Sequence, residues 1–301
     1  MSTPSTPWAQ HLETTADGSY TFFSPDFQET FHSRGGARSE AIDKFVGAAA
    51  LPQRAQGDRL VLLDVCYGLG YNTAAALEVI WQVNPRCHVT LVGVEIDPSI
   101  PLAALAPEIL SLWSPAVVPV LQELVQYGTY VSENCEAILY GEDARTTVQR
   151  LNQQGFTADA IFLDPFSPRR CPQLWTVEFL TGVARCLAPE GKLTTYCRAA
   201  AVRSALQDAG LVLGTLPVTG PALPHEWANG TIAAHPHSQA AQSLTPLSAS
   251  EREHLQTRAG IPYRDPTLAG TATDITARRS AEQRGSDRES TTQWRKRWGI
   301  E

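Results

Sequence analysis

Runs of apolar residues recur along the middle of the chain, separated by stretches in which the apolar positions have helical spacing. The runs cover residues 60–63, 88–95, 137–145 with an exit turn, 158–164 and 192–197, and a last pair at 211–218 and 231–234 suits an antiparallel hairpin. A continuous apolar run is typical of a parallel strand that is covered on both faces. The alternation of strand and helix therefore predicts an α/β domain on a mostly parallel sheet.

The segments on either side of this alternation have a different pattern. Residues 19–24 alternate like a strand, and residues 27–32 can pair back on them as a hairpin. Ser39 is placed to cap a helix that ends at Gly47. We expect an N-terminal hairpin and helix extension over residues 1–50, with 1–16 poorly ordered, a main domain over 51–237 and a C-terminal tail with short helices over 238–301.

The first apolar run leads into a glycine turn with the pattern Asp64-x-x-x-Gly68-x-Gly70-x-Asn72. The glycines allow a tight turn that a ligand can approach closely, and Asn72 or Thr73 is a plausible N-cap for the following helix. The third glycine of a dinucleotide site and the lysine of a phosphate loop are both missing from this pattern. A carboxylate before the glycines suits a cationic ligand such as S-adenosylmethionine. The alternative is a turn that only packs the helix on the strand.

Acidic side chains close the first four apolar runs, at Asp64, Glu95, Asp143 and Asp164. In an open α/β sheet, ligands bind at the carboxyl ends of the strands. Asp64 is then expected to face the methionine end of the cofactor, Glu95 the ribose hydroxyls, Asp143 the adenine amine with Ala144 leaving room for the ring, and Asp164 the methyl group. Together they predict a Rossmann-like methyltransferase site, unless all of them are solvated strand-end acids.

The loop after Asp164 favours an amine as the methyl acceptor. Asp164-Pro165-Phe166 resembles the Asp-Pro-Pro-Tyr-type loop of amino-group methyltransferases, in which an aromatic ring packs against the target, and prolines at 165 and 168 stiffen it. A carboxylate can orient a primary amine and stabilise the cation that develops on it. The residues 32–34, beside Glu40, are either a solvated loop or a lid over this site.

Composition limits the class of protein. Hydrophobic content of 43% and charged content of 18% are typical of a globular chain, and no signal peptide or membrane span is predicted. The six cysteines are scattered, so we expect no metal site, and we expect a cytoplasmic monomer. The net charge of −7 argues against a broad nucleic-acid-binding surface, although it allows a local basic patch.

Several stretches together are similar to the methyltransferase domain of the MnmC/MnmD type, in its stand-alone form. They are residues 64–72, residues 162–168 with 172–175, and residues 20–24 with Glu40, within a resemblance that covers roughly residues 17–235. The resemblance implies a class I S-adenosylmethionine-dependent enzyme that N-methylates the aminomethyl group of 5-aminomethyl(-2-thio)uridine at the tRNA wobble position.

The resemblance also implies roles for residues matched by position. The residues expected to hold the cofactor or act on the amine are Tyr67, Gly68, Gly70, Asn72, Glu95, Asp143 and Asp164, with Glu40 near the site. The residues expected to contact the substrate are Phe166, Pro168, Trp175 and His32.

The chain also departs from the family's pattern. A basic Lys-Arg-Glu stretch expected near the last strands is absent, and residues 223–227 take its place. Residues 294–298 interleave two tryptophans with three cations, so this end of the chain is a candidate for RNA contacts by phosphate pairing and stacking. A helix that only packs on the domain is the alternative.

Other activities remain open at this point. A small-amine methyltransferase or a polyamine aminopropyltransferase shares the sheet and the acids and needs no RNA, and the acidic surface suits it. A non-catalytic interaction module on a cofactor fold is a further alternative, but such a scaffold has no need for Asp164. The sequence leaves undetermined which tRNAs are used, whether the uridine is thiolated and what makes the precursor.

Overall fold

The computed structural model describes residues 12–216 and 229–300. By the density of their internal contacts, the residues form two compact units, Met1–Thr147 with Ala158–Phe166 and Val148–Thr157 with Ser167–Glu301. The three segments expected from the sequence stay a prediction. The Leu-Pro-His-Glu-Trp stretch at 223–227 lies outside the described residues.

The strands follow the apolar runs. In chain order they are β1 (Leu12–Thr14), β2 (Tyr20–Ser24), β3 (Glu29–Thr30), β4 (Arg59–Val65), β5 (His88–Val94), β6 (Thr129–Val131), β7 (Cys135–Tyr140), β8 (Ala158–Leu163), β9 (Leu187–Thr195), β10 (Val212–Leu216) and β11 (Gly230–Ala234).

The helices fall mainly between the strands and at the C-terminal end. They are α1 (Ala37–Glu40), α2 (Leu51–Arg54), α3 (Tyr71–Val83), α4 (Ser99–Ala103), α5 (Pro107–Leu110), α6 (Val118–Tyr127), α7 (Ala144–Gln153), α8 (Val177–Arg185), α9 (Ala200–Asp208), α10 (Gln239–Gln242), α11 (Ala249–Leu255), α12 (Ala272–Arg284) and α13 (Thr291–Trp298). A π-helical segment covers Ala41–Gly47, and 3₁₀ turns cover Pro172–Trp175 and Arg258–Gly260. None of the helices in the described part of the chain is long and apolar enough to span a membrane.

In the first unit, the strand order β8-β4-β5-β7-β6 places β4 between β8 and β5 in a parallel arrangement, with β6 antiparallel at the edge. Residues of the central strands such as Leu62, Leu91 and Phe162 are fully buried, because helices cover both faces of a parallel sheet. The predicted α/β class is therefore confirmed, and the carboxyl ends of β4, β5, β7 and β8 lie along one edge.

The N-terminal hairpin is confirmed, but the segments around it were predicted wrongly. β2 pairs with β3, and it also pairs with β1, so residues 12–14 are a strand and not part of a poorly ordered leader. The next helix begins after Gly36, and Ser39 donates its backbone N–H to Asp17 Oδ2 at 2.9 Å. Gly36 has a φ of +151°, and a Cβ there would lie 2.4 Å from Asp17 Oδ2, so only glycine fits at this start.

Prolines explain two further features. Pro107 begins the short helix α5, which is separate from α4, because proline has no N–H to continue the earlier helix. Residues 189–191 are extended chain inside β9. Pro189 is tolerated there because the pairing with β11 involves only Leu193–Thr195.

In the second unit, β10, β11 and β9 pair antiparallel, which confirms the predicted terminal hairpin. The C-terminal residues are joined to these strands by a buried ion pair. Arg203 on α9 donates to Glu251 on α11 at 2.8 Å, to Thr231 Oγ1 at 2.9 Å and to the carbonyl oxygen of Gly230 at 3.1 Å. Ser248 and Glu251 form a capping box at the start of α11. Residues after 237 are therefore an integral part of the second unit.

Candidate active site

The turn between β4 and α3 has an alternating left-handed backbone. Cys66, Gly68 and Gly70 have φ angles of +66°, +54° and +76°. The left-handed region is unfavourable for a residue with a Cβ, so Cys66 marks a strained position of the kind found at ligand sites. Tyr67 donates its backbone N–H to Val94 O at 2.9 Å, which fixes the turn against the end of β5.

Gly70 is required for a reason that differs from the expected one. A Cβ on Gly70 would lie 2.6 Å from the hydroxyl oxygen of Tyr67, whose ring is 4% exposed and packs inside the turn. The space beside Gly70 is thus occupied by Tyr67, and a contact between Gly70 and the cofactor stays a prediction. Gly70 is also the N-cap of α3, so neither Asn72 nor Thr73 has that role.

Asp64 is fully buried at the end of β4. Its Oδ2 accepts a hydrogen bond from Thr73 Oγ1 at 2.7 Å, which ties the end of the strand to the first turn of α3. Burial, together with the negative charge of Glu95, raises the pKa of Asp64 to about 7, although Thr73 opposes this. Contact between Asp64 and the cofactor stays a prediction; the bond to Thr73 gives it a structural role.

Glu95 follows β5, and its carboxylate is fixed by backbone donors. Gly68 N donates to Oε2 at 2.9 Å and Asp97 N donates to Oε1 at 3.0 Å. Burial raises the pKa of Glu95 above its usual value despite these bonds. The nearby acid Asp97 accepts a hydrogen bond from Ser99 N at 2.9 Å and begins the next turn. Of the two acids, Glu95 is the one attached to the glycine turn.

Asp143 is paired within its own loop. It accepts hydrogen bonds from Arg145 N at 2.9 Å and Arg145 Nη2 at 2.7 Å. Partial burial alone would raise the pKa of Asp143, but the bonds and charge of Arg145 lower it. Ala144 is buried beside it. A contact with adenine stays a prediction, and Arg145 would compete for the same carboxylate.

Asp164 follows β8 and is held by an amide from the helix after the glycine turn. Asn72 Nδ2 donates to Asp164 Oδ2 at 2.9 Å. Burial and then the negative charge of Glu40 raise the pKa of Asp164 well above its usual value, against the effect of Asn72. Glu40 itself is bound by Lys44 Nζ at 2.6 Å. The structure thus brings three of the predicted residues together, Glu40, Asn72 and Asp164.

The N-terminal hairpin supplies aromatic rings to the loop after Asp164. The ring of Phe27 stacks on Phe166 with centroids 4.3 Å apart, and Phe31 meets Phe166 edge to face at 4.9 Å. One face of Phe166 is therefore covered by the protein itself, which limits how the ring can meet a substrate. Whether residues 32–34, which follow this hairpin, form a lid over the site or a solvated loop stays a prediction.

His32 lies at the end of this hairpin. Its ring meets Tyr71 edge to face at 4.9 Å, and its buried Nδ1 has no hydrogen-bond partner among the described residues. Burial lowers the pKa of His32 to about 4, although Glu40 and Asp17 oppose this, so the imidazole is neutral at physiological pH.

The remaining predicted substrate residues belong to the second unit. Trp175 is fully buried, with its ring edge to face with Tyr196 at 6.3 Å, so it has no surface for a substrate and its assignment was wrong. A tryptophan in a loop motif gives no sign in the sequence of whether its ring points inward. Pro168 is half-buried in the turn in which Arg170 N donates to Ser167 O at 2.8 Å, and its contact with substrate stays a prediction.

Sequence reasoning missed residues that the structure places at this site. Phe27, Phe31 and Tyr71 meet predicted site residues through long-range packing, which no local pattern reveals. Lys44 was detectable, since it lies four residues after Glu40, a spacing at which opposite charges meet on a helix. No cluster of metal-ligating side chains is found in residues 12–216 and 229–300.

Known proteins share both sequence and fold with this chain. Residues 108–221 match a family described as S-adenosyl-L-methionine-dependent methyltransferase. The bifunctional protein MnmC of tRNA 5-methylaminomethyl-2-thiouridine biosynthesis from Methylibium petroleiphilum is 32% identical over 65% of this chain and 31% of its own length. The crystal structure of MnmC2 from Aquifex aeolicus matches with a TM-score of 0.78 at 26% identity, covering 92% of this chain and 85% of that one. The chain carries an MnmC-type methyltransferase domain.

The extent of these matches differs between relatives. The chain spans about a third of the length of the MnmC proteins that it matches, since the share covered is 31% in the first of them. An uncharacterised protein of Methanocaldococcus jannaschii is 29% identical over 88% of this chain and 70% of its own length.

An MnmC-type domain uses S-adenosylmethionine as its cofactor. The site described above fits this group, because the carboxylate of Glu95 is held in place with lone pairs left for a diol, and the nearby acids favour a cationic ligand over a pyrophosphate. The predicted cofactor and the Rossmann-like class I fold are thereby confirmed.

Proposed function

We propose that this protein N-methylates the aminomethyl group of 5-aminomethyl(-2-thio)uridine at the wobble position of tRNA. The similarity to MnmC proteins, whose name refers to this modification of tRNA, supports the substrate class. The similarity gives no support to the alternatives of a small-amine methyltransferase, an aminopropyltransferase or a non-catalytic module. A tRNA substrate in turn fits a cytoplasmic location.

The single observation that carries the proposal is the position of Asp164. An amine nitrogen needs a free lone pair directed at the methyl group, and a fixed acceptor can orient its N–H bonds. Asn72 binds Oδ2 of Asp164, and Oδ1 has no hydrogen-bond partner among the described residues, so it can accept a hydrogen bond from the amine. Its raised pKa makes it a stronger base than an ordinary carboxylate, suited to removing a proton from the product ammonium.

The cofactor, when bound, supplies a methyl group on a sulfonium, and the chain's own residues have to hold the reactants in line. Glu95 and the turn at Gly68 and Gly70 are proposed to hold the nucleoside and methionine parts, with Asp143 and Ala144 toward the adenine. Phe166 and His32 are proposed to border the uridine. His32 is neutral at physiological pH, so its imidazole adds no positive charge beside the substrate amine.

The experiment is methylation of defined acceptors by the purified protein. A tRNA that carries 5-aminomethyluridine is incubated with the protein and S-adenosylmethionine, and its nucleosides are analysed by mass spectrometry. Spermidine and a simple primary amine are tested as acceptors in parallel reactions. We expect a gain of one methyl group on the aminomethyl nucleoside only. Methylation of the free amines in preference to the tRNA would overturn the proposal in favour of a small-amine enzyme.

A matched pair of variants assigns any activity to the proposed site. Asp164→Asn removes the charge at the site, whereas Asp58→Asn makes the same change at an exposed position in the same unit. Equal activity in both variants would show that the reaction, if present, does not use Asp164.

A further inference from the structure

The second unit contains a cavity of about 480 Å³ that is lined by arginines from three parts of the chain. Arg169 comes from the loop after β8, Arg258 from the 3₁₀ turn, and Arg279 and Arg284 from α12. Ser290 and Thr291, at the start of α13, also line the cavity. Among the described residues, none of the lining side chains is acidic.

Three of these arginines are exposed, and none of the three side chains has a carboxylate or hydrogen-bond partner among the described residues: Arg169, Arg258 and Arg284. Arg279 is different, because it fixes the wall of the cavity. It donates to Ile261 O at 2.6 Å and Ala259 O at 3.0 Å, and its guanidinium lies over the ring of Tyr263 at 4.5 Å. Its positive charge nevertheless stays in the cavity wall.

Several other arginines of this unit, unlike these three, are paired with acidic side chains. Arg203 is paired with Glu251, Arg297 with Glu253 and Glu289, and Arg264 approaches Asp208 at 3.8 Å. Grouping unpaired cations costs free energy through mutual repulsion, in a chain whose net charge is −7. Such an arrangement is expected where an anion offsets the repulsion.

The chemistry of the lining indicates which anion fits. Guanidinium groups pair with phosphate through two parallel N–H donors, and several of them around one concave surface suit a ligand that carries several negative charges. The first turn of α13 adds the positive end of a helix dipole and the hydroxyl of Thr291 on the same side. Among the described residues, no aromatic ring lines the cavity to stack a base, so a nucleic acid bound there would be contacted through its backbone phosphates.

We propose that this arginine cavity binds phosphates of the RNA backbone and is a tRNA-docking site of the second unit. The inference rests on the proposed function, which supplies the RNA. It also changes where RNA contacts are expected. The cluster at 294–298 is largely engaged within the protein, since Trp294 stacks on His254 at 4.3 Å and Arg297 is held by Glu253 and Glu289.

The test compares two double variants with equal changes in charge. Arg169→Ala/Arg284→Ala removes two unpaired cations from the cavity, and Arg86→Ala/Arg185→Ala removes two exposed arginines elsewhere. Affinity for tRNA is measured by fluorescence anisotropy at several salt concentrations. We expect the cavity variant to bind about tenfold or more weakly near 0.1 M salt and to lose about two units of the slope of log affinity against log salt. The control variant is expected to change little.

Separate measurements distinguish failure of this inference from failure of the proposed function. S-adenosylmethionine affinity and the thermal midpoint should be unchanged in the cavity variant, which shows that the fold is intact. Equal tRNA affinity and salt slope in the two double variants would overturn the arginine cavity as a docking site, even if the wild type methylates tRNA. Absence of methylation by the wild type would contradict the proposed function instead.

Discussion

At the scale of single residues, the acids that end the strands look alike in the sequence and are in different chemical states in the structure. Asp64 accepts a hydrogen bond from the Thr73 hydroxyl, and Glu95 accepts hydrogen bonds from two backbone N–H groups. Asp143 is paired with Arg145, and Asp164 accepts a hydrogen bond from the Asn72 amide. Their pKa values therefore shift in different directions, upward for Asp64, Glu95 and Asp164 and downward for Asp143.

The first prediction concerns Asp164→Asn. The amide keeps the shape of the side chain but loses the charge that stabilises the developing ammonium. We expect the single-turnover rate to fall about a hundredfold, or on the order of 3 kcal/mol, with cofactor affinity nearly unchanged. The loss should be partly recovered at higher pH, where more of the amine is deprotonated. A variant within a few-fold of wild type at every pH would leave alignment alone as the source of the rate.

The second prediction concerns the dependence of stability on pH. The folded-state pKa of Asp64 is about 7, above its ordinary value of 3.8, so the folded protein binds the proton more tightly. The stability from this group is complete below about pH 4 and is lost as the pH rises toward 7. The variant Asp64→Asn has no titrating group at this position, so it does not lose this stability as the pH rises. The unfolding free energy of the variant minus that of the wild type should therefore increase by up to about 1.4 kcal/mol for each pH unit between about pH 4 and pH 7.

Urea denaturation at several pH values measures this difference. A difference between the two proteins that stays constant from pH 4 to pH 7.5 would mean that Asp64 titrates normally in the folded state.

The third prediction uses the two reasons why Gly70 is a glycine. Gly70→Ala places a Cβ against Tyr67 at a left-handed backbone position, whereas Gly155→Ala has a similar φ of +68° with open space around it. The control should cost about 1–2 kcal/mol of unfolding free energy from backbone strain alone. Gly70→Ala should cost a further 1–3 kcal/mol, roughly, from overpacking. Equal losses in denaturant unfolding would show that Tyr67 moves aside freely.

At the scale of elements, the hairpin β2–β3 and the π-helical segment Ala41–Gly47 both supply side chains to the site around Asp164. The hairpin supplies Phe27 and Phe31 to Phe166, and the π-helical segment carries Lys44 to Glu40. Short π-helical stretches are rare in proteins, and those that occur are often found at functional sites. These elements precede the sheet in the chain, and they position the groups around Asp164.

The fourth prediction tests the hairpin. Phe27→Ala removes the ring that stacks on Phe166, and a stacked pair contributes about 0.5–1.5 kcal/mol beyond its buried area. We expect methylation to slow about two- to tenfold, with S-adenosylmethionine affinity unchanged. The control Phe27→Tyr keeps the ring and should retain activity. If Phe27→Ala and Phe27→Tyr methylate at the same rate, the stack has no part in positioning the loop.

At the scale of the whole molecule, the C-terminal residues are built into the second unit. Glu251 is joined to the rest of this unit by its ion pair with Arg203, and Tyr263 by a β-bridge with Thr176. Trp294 on α13 is buried, with 1% of its surface exposed. The packing alternative therefore holds for Trp294, while Trp298, Arg295 and Lys296 stay exposed and RNA contacts by this segment stay a prediction.

The fifth prediction follows from this packing. Trp294→Ala removes a buried ring stacked on His254, and truncation of a buried tryptophan typically costs about 3–5 kcal/mol of unfolding free energy. Trp298→Ala removes a ring that is 37% exposed and should cost far less. Chemical denaturation of both variants makes the comparison. Similar, small losses in the two would return residues 294–298 to consideration as an RNA-binding segment.

The sequence by itself determined the α/β class, the positions of β4, β5, β7 and β8, and the acids at their ends. This information is local, because a run of apolar residues is buried on both faces wherever the sheet lies. The glycine turn was visible for the same reason, since its backbone angles depend on residues next to one another. The bond of Asp143 to Arg145, two residues away, is equally local.

Only the tertiary structure decided which side chains form hydrogen bonds with these acids. Asn72 and Asp164 are 92 residues apart in the chain, and their hydrogen bond exists because β4 and β8 are neighbours in the sheet. Whether Trp175 and Trp294 face inward, and which arginines lack a carboxylate, likewise depend on side chains that arrive from distant segments. A residue's burial and charge state are properties of everything packed around it, and a single stretch of sequence does not contain those neighbours.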